Sequence, residues 1–290
     1  MLLDEKFLRI LDRLELIIKL SRNTNFAGEK PSKQEGAGMD FKDYRHYEIG
    51  DDYRYIDWNL YSRLEQLYLK EFIEERGLNI QFLIDSSNSM AFGQPRKFDL
   101  ARKIAAGLGY VGLAQLDRIE TIFFNSLPFH STDQIKGKVQ APQYFRMLEE
   151  MRPDGETDIY NAMKIFVRKH KKTGLAVVIT DLLDDENCLS GLKVLRIHNW
   201  QVLLIHVLAD REQNPQINDN LTLIDSETGE KKDIFVDEEI VDNYKNNLNR
   251  YFAQIESFAR KYGINYFRVT NSEDLEDILL KLLKKRREIR

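Results

Sequence analysis

Five apolar runs, rich in β-branched residues, recur from Gly77 to the C-terminus: LNIQFLI, RIETIFF, LAVVIT, QVLLIHV and INYFRV. Segments with helical spacing of apolar residues separate them. This alternation is the strongest constraint on the fold. Strands that read as unbroken apolar runs are covered on both faces. Strands alternating with helices imply crossover connections and a mostly parallel sheet. Residues 77–290 are therefore expected to form a doubly wound α/β domain.

The expected helices fill the gaps. One follows Pro95 and gathers Ala101, Ile104, Ala105, Leu108 and Val111 on one face. Others are expected over about 141–151, 158–171, 187–198, 240–262 and 272–287. One segment breaks the rhythm. LTLIDSETGEKKDIFV reads as a β-hairpin inserted at about 220–236, with Thr228-Gly229 near its turn. An extended stretch, RLEQLYLKEFIEER, precedes the first core strand, and the two are expected to build a small β appendage together.

Residues 1–22 have the spacing of an amphipathic helix, with Leu3, Phe7, Leu11, Leu14 and Ile18 on one stripe widened by Ile10 and Ile17. Docking on the core is the simpler reading, and partner binding the sharper one. Residues 23–76 follow as a polar linker, NTNFAGEKPSKQEGAG over 23–38, and then a segment dense in arginine, aspartate and aromatic residues.

The net charge of −4 gives no bulk attraction to nucleic acid or anionic membrane. The single cysteine, Cys188, excludes an internal disulfide. Charges at Asp4, Glu5, Lys6, Arg9, Asp12, Arg13 and Glu15 break the N-terminal apolar stretch. It cannot supply the ~20 apolar residues of a transmembrane helix or the uninterrupted centre of a signal peptide. A cytoplasmic location is expected.

In an open α/β sheet, ligands bind beyond the carboxyl ends of the strands. The first core strand ends in Asp85-Ser86-Ser87-Asn88-Ser89, a later one in Asp181, and a loop before a helix carries Thr157. Asp85, Ser87, Ser89, Thr157 and Asp181 thus bring two carboxylates and three hydroxyls to one predicted edge. Taken alone, DSSNS also reads as a turn or helix cap. Together the five suit a hard divalent cation, which takes oxygen ligands. Magnesium is the expected ion, with manganese and calcium as alternatives. Ligation by neutral hydroxyls would leave the ion electrophilic toward an outside carboxylate, with Asp85 and Asp181 acting through water or by orienting the hydroxyls.

This ordered set resembles the metal-ion-dependent adhesion site of von Willebrand factor A domains, a Rossmann-type fold, over about residues 77–290. The upstream segment DYRHYEIGDDYRYIDWNLYSRLEQLYLKEFIEER resembles the signature of a bacterial family called domain of unknown function fifty-eight. The resemblance rests on Arg45, Tyr47, Gly50, Asp51, Asp52, Arg54, Ile56, Asp57, Trp58 and Arg63. The hairpin DSETGE is similar too. The resemblance implies association with a MoxR-type AAA+ ATPase. Glu156 departs from the family pattern, standing beside Thr157 where relatives often carry glycine. The charged N-terminal helix stands where many relatives have transmembrane helices.

In the signature, Arg45, Arg54 and Arg63 alternate with Asp51, Asp52 and Asp57. They read as an internal ion-pair network or, alternatively, a docking face. Trp58 reads as a packing residue. The basic C-terminal KLLKKRREIR suits a solvated helix end, with binding to lipid, nucleic acid or an acidic surface as the alternative. His130, His170, His198 and His206 lack metal-ligand spacing, and Cys188 has no base near it in sequence.

The constellation without a catalytic set around it leads to a non-enzymatic, magnesium-dependent protein-interaction module. It would act with a MoxR-type AAA+ ATPase or a client that supplies a carboxylate, in assembly or maturation of that client. The rival is a metal-dependent phosphohydrolase or phosphoacceptor using Asp85. Ser87 stands where such phosphatases want a second acid, and no Gly-x-x-x-x-Gly-Lys loop is present.

Overall fold

The computed structural model describes residues 7, 9–11, 13, 40–73, 77–126, 130–183, 188–215, 220–224, 231–235 and 238–289. They fall into two compact units, Lys19–Gly77 and a larger one formed by Met1–Ile18 with Leu78–Arg290.

The larger unit is built on a seven-stranded sheet. Its parallel strands are β3 (Asn79–Asp85), β4 (Arg118–Phe124), β7 (Leu175–Thr180), β8 (Gln201–Leu208) and β11 (Asn265–Thr270). These are the five apolar runs of the sequence. The spatial order is β11-β8-β7-β3-β4, extended beside β4 by two short antiparallel strands, β5 (His130–Ser131) and β6 (Ile135–Lys136). The chain leaves β3 toward β4 and later returns to β3's other side with β7. The order therefore reverses between β3 and β7, and their carboxyl ends flank the switch-point crevice where open α/β sheets bind ligands.

Side-chain alternation on β3 divides the core into two layers. Ile80, Phe82 and Ile84 pack into one cluster with the helices Lys97–Ala114, Ala141–Glu150 and Leu275–Ile289. Leu83 faces the other, with Ile159–Lys169, Cys188–Ile197 and Glu238–Tyr262. These six helices lie within a few residues of their expected positions. Phe7, Ile10 and Leu11, which are helical, are buried in the first layer, and Phe7 meets Phe145 edge-on at 5.9 Å between centroids. Arg13 also pairs with Glu276 at 2.7 Å. Leu3, Leu14, Ile17 and Ile18 lie outside the described residues.

Among the described residues, the two extended regions do not pair with each other. β9 (Asn220–Ile224) and β10 (Lys231–Phe235) form their own antiparallel pair, with Thr228-Gly229 outside the described residues. Within the other unit, β2 (Tyr68–Ile73) pairs with β1 (Asp40–His46). The segment DFKDYRH lacks a clean apolar alternation and carries no strand signal of its own. RLEQ does not continue β2: Arg63 and Leu64 are the last residues of the helix Trp58–Leu64, and Glu65 is its C-cap. Asp57 caps that helix by accepting from the N–H groups of Asn59 and Leu60, and also accepts from the Tyr44 hydroxyl. Arg45 grips Asp51 with two 2.6 Å bonds, and Arg54 pairs with Asp52. Arg45 and Arg54 thus pair with Asp51 and Asp52 inside their own unit, while Asp57 serves the helix cap and Tyr44. Trp58 is not a core residue: 59% of its surface is exposed, with its ring edge-on to Tyr61.

Trp200, wholly buried, packs against Phe166 at 4.8 Å between ring centroids and ties β8 to the second helical layer. Trp200→Ala should lower the unfolding free energy by about 3–5 kcal/mol, read from urea unfolding at constant m-value.

Candidate metal centre

Asp85 is the last residue of β3 and is fully buried. A carboxylate there requires hydrogen-bond donors, because water cannot solvate it. Four are supplied. The Ser87 N–H and hydroxyl donate to Oδ1 at 3.0 and 2.7 Å, and the Thr157 hydroxyl donates to the same oxygen at 3.3 Å. The Thr180 hydroxyl donates to Oδ2 at 2.7 Å. Ser87 and Ser89 hydroxyl oxygens lie 3.0 Å apart. Since Ser87 has one hydroxyl proton and gives it to Asp85, Ser89 is the donor of that pair.

Of the three hydroxyl side chains expected at the site, Ser87 and Thr157 therefore bond Asp85, and Ser89 joins them through Ser87. The turn half of the alternative reading of DSSNS is seen, since Ser87 N–H donates to Asp85 Oδ1 and a short 3-10 turn follows at Asn88–Ala91; the cap half is not, because Ser87 at the N-cap of that turn makes no side-chain capping bond. The surrounding loops are stitched by main-chain bonds, with Asp154 N–H donating to Ser86 O at 2.7 Å and Asn88 N–H to Gly155 O at 2.8 Å. Gly155, at φ +78°, supplies the left-handed turn that presents Thr157. Glu156 is exposed, and its carbonyl accepts from the Ser126 N–H.

Asp181 behaves differently. It is buried, but its carboxylate contacts none of the three hydroxyls among the described residues. Oδ2 accepts from the Lys97 ammonium at 2.7 Å, and Oδ1 from the Leu183 N–H at 3.3 Å. Lys97 is itself wholly buried and also bonds Glu212 at 2.5 Å. Burial alone would lower the lysine pKa, but Asp181 and Glu212 outweigh it and hold it above the ordinary value. His206 lies beneath, beside the Asp181 carbonyl at 2.9 Å and the Tyr266 hydroxyl at 2.9 Å. Burial pushes its pKa down to about 4, so the ring is neutral at pH 7. Leu182, at φ +52°, is a buried non-glycine residue in the left-handed region, next to Asp181. It is held there by its N–H bond to Thr180 and by the Tyr251 hydroxyl donating to its carbonyl. Asp181 and the two residues after it are not helical, and the next helix is described from Cys188 onward, with 184–187 outside the described residues.

Sequence reasoning missed Thr180, Lys97 and Glu212. Thr180 is hidden at the end of an apolar run. Lys97 leaves one signal: a cation in the first turn of a helix opposes the helix dipole and needs a local reason.

The oxygen set fits a divalent cation. With Asp85 ionised, Asp85, Asp181 and Glu212 against Lys97 leave two negative charges in this largely buried region, the charge that a divalent ion balances. Each hydroxyl that donates its proton to Asp85 keeps lone pairs for a cation. Among the described residues no group of three or more His, Cys, Asp or Glu side chains is arranged to hold a metal, so any such ion would rest largely on hydroxyls.

Burial, and next the nearby Asp181 charge, raise the Asp85 pKa from 3.8 to about 7. The folded state then binds this proton more tightly than the unfolded state. Stability from this group is complete at low pH and is lost as pH rises from about 4 toward about 7. His206 has the opposite effect, destabilising the fold as pH falls below its unfolded value. Comparing wild type with Asp85→Asn isolates the acid. In EDTA, urea unfolding across this range should show the wild type losing stability relative to the variant as pH rises.

The chain is 25% identical over 291 residues to an uncharacterized protein of Mycobacterium tuberculosis strain H37Rv, covering 98% of this chain and 91% of the relative. A Mycobacterium bovis protein matches to the same extent. Among solved structures, the conserved hypothetical protein BatB from Bacteroides thetaiotaomicron aligns with 72% of this chain and 98% of its own, at 16% identity and TM-score 0.45. The Rpn10 VWA domain aligns with 71% of this chain and 95% of its own, at 10% identity and TM-score 0.42. No helix among the described residues is long and apolar enough to cross a membrane. The family described as protein of unknown function DUF58 matches residues 43–252, more than half of the chain, and this chain belongs to that family.

Proposed function

We propose that the protein is a magnesium-dependent protein-interaction module and not an enzyme. The observation that carries this reading is the buried Asp85 carboxylate drawing the Ser87 and Thr157 hydroxyl protons toward itself, with Ser89 in contact with Ser87. Ser87, Ser89 and Thr157 hold the ion through hydroxyl oxygens. Asp85 orients two of those hydroxyls and, with Asp181, supplies negative charge behind them. A magnesium ion so held supplies an electrophilic position for a carboxylate from outside. The partner is a MoxR-type AAA+ ATPase or a client delivered to it, as the family resemblance implies, and the setting is client assembly or maturation in the cytoplasm.

The phosphoacceptor reading is less well supported. Asp85 is fully buried, and both its oxygens already accept hydrogen bonds, four in all. A nucleophile needs an exposed lone pair directed at substrate.

Magnesium titration by calorimetry should show binding in the wild type, at least about tenfold weaker binding in Ser87→Ala, and none in Asp85→Ala. Pull-down of the MoxR-type ATPase, with and without EDTA, should follow the same order. Capture that persists in Asp85→Ala after metal is demonstrably lost would sink the mechanism.

A further inference from the structure

Lys97 is a wholly buried cation on the first turn of the helix Lys97–Ala114. Its ammonium occupies Oδ2 of Asp181 and simultaneously reaches Glu212, whose other carboxylate oxygen accepts from the Ala209 N–H at 2.7 Å. Both ends of this bridge are therefore fixed by structure. Burying a lysine is costly, and a helix N-terminus is an unfavourable place for its charge. A merely structural pair at this point could have been replaced by apolar packing. What distinguishes the position is that one acid of the pair is the late acid of the candidate cation site.

Resting on the reading given under Proposed function, we propose that Lys97 is a positioning residue that keeps Asp181 from ligating the cation directly. The ammonium at 2.7 Å occupies Oδ2 of Asp181, and Oδ1 accepts from the Leu183 N–H, so both carboxylate oxygens already have a hydrogen-bond partner. The acid then contributes only through water or through its field. The ion would rest on neutral oxygens, bound weakly and left electrophilic toward an incoming carboxylate. Glu212 sets the strength of this device, since it competes with Asp181 for the same ammonium.

The test compares magnesium affinities by calorimetry on the full chain. Lys97→Met/Glu212→Gln removes one positive and one negative charge, so the net charge of the cluster is unchanged while Asp181 is released. It should bind magnesium at least about tenfold more tightly than wild type, because a carboxylate at contact distance is a strong electrostatic addition. Glu212→Gln alone leaves Asp181 as the sole partner of the ammonium, and should bind at least about threefold more weakly. The second variant retains the lysine pair, so it serves if the first fails to fold, which circular dichroism and urea unfolding report. A folded double variant whose affinity equals or falls below wild type overturns the proposal, as does unchanged affinity in Glu212→Gln. Absence of magnesium binding in the wild type and in every variant overturns the metal reading itself. Wild-type binding that Asp85→Ala abolishes, with no effect of the Lys97 and Glu212 changes, overturns only the role of Lys97.

Discussion

A carboxylate without access to water sits at the end of the central strand, and the candidate site is organised around its needs. Asp85 leaves β3 at the point where strand order reverses, in the crevice between β3 and β7. Desolvation there makes an unpartnered negative charge intolerable. The answer is a set of hydroxyls and one N–H from three separate chain segments. Each donation fixes a side chain, and each fixed side chain fixes a loop. The main-chain bonds from Asp154 and Asn88 then join the Thr157 loop to the DSSNS loop.

The same crevice contains a second device of opposite sign. Lys97 brings a positive charge under Asp181, and Glu212 holds the lysine from the other side. The two acids of the expected constellation therefore play different parts. Asp85 faces hydroxyls and directs their protons. Asp181 faces an ammonium and is braced by a left-handed turn at Leu182, with neutral His206 beneath its carbonyl. Under the function proposed above, this division leaves the ion on hydroxyls, weakly held and open to reversible capture of an acidic partner.

The signature unit shows a different use of charge. Its arginine–aspartate pairs close locally, across six residues for Arg45–Asp51 and two for Arg54–Asp52. Exposed pairs of this kind add little stability individually, but they define the backbone path between β1 and the helix that Asp57 caps. Trp58, left largely exposed by that helix, meets only the edge of Tyr61 among the ring contacts of the described residues. Its aromatic character suggested burial, whereas the helix phase set by the Asp57 cap turned it outward.

The sequence by itself determined the sheet and its helices, because unbroken apolar runs and 3.6-residue spacing are local signals of burial. It also determined which strand ends carry Asp85 and Asp181, since a run's end is visible in one dimension. β1 escaped it, because DFKDYRH is polar and becomes a strand only by pairing with Tyr68–Ile73. Tertiary structure alone decided that Thr180 serves Asp85, and that Asp181 belongs to Lys97, 84 residues away, and not to the hydroxyls. A lysine's burial depends on which acids lie opposite it after folding, and pairwise electrostatics between distant segments leaves no periodic trace in the chain.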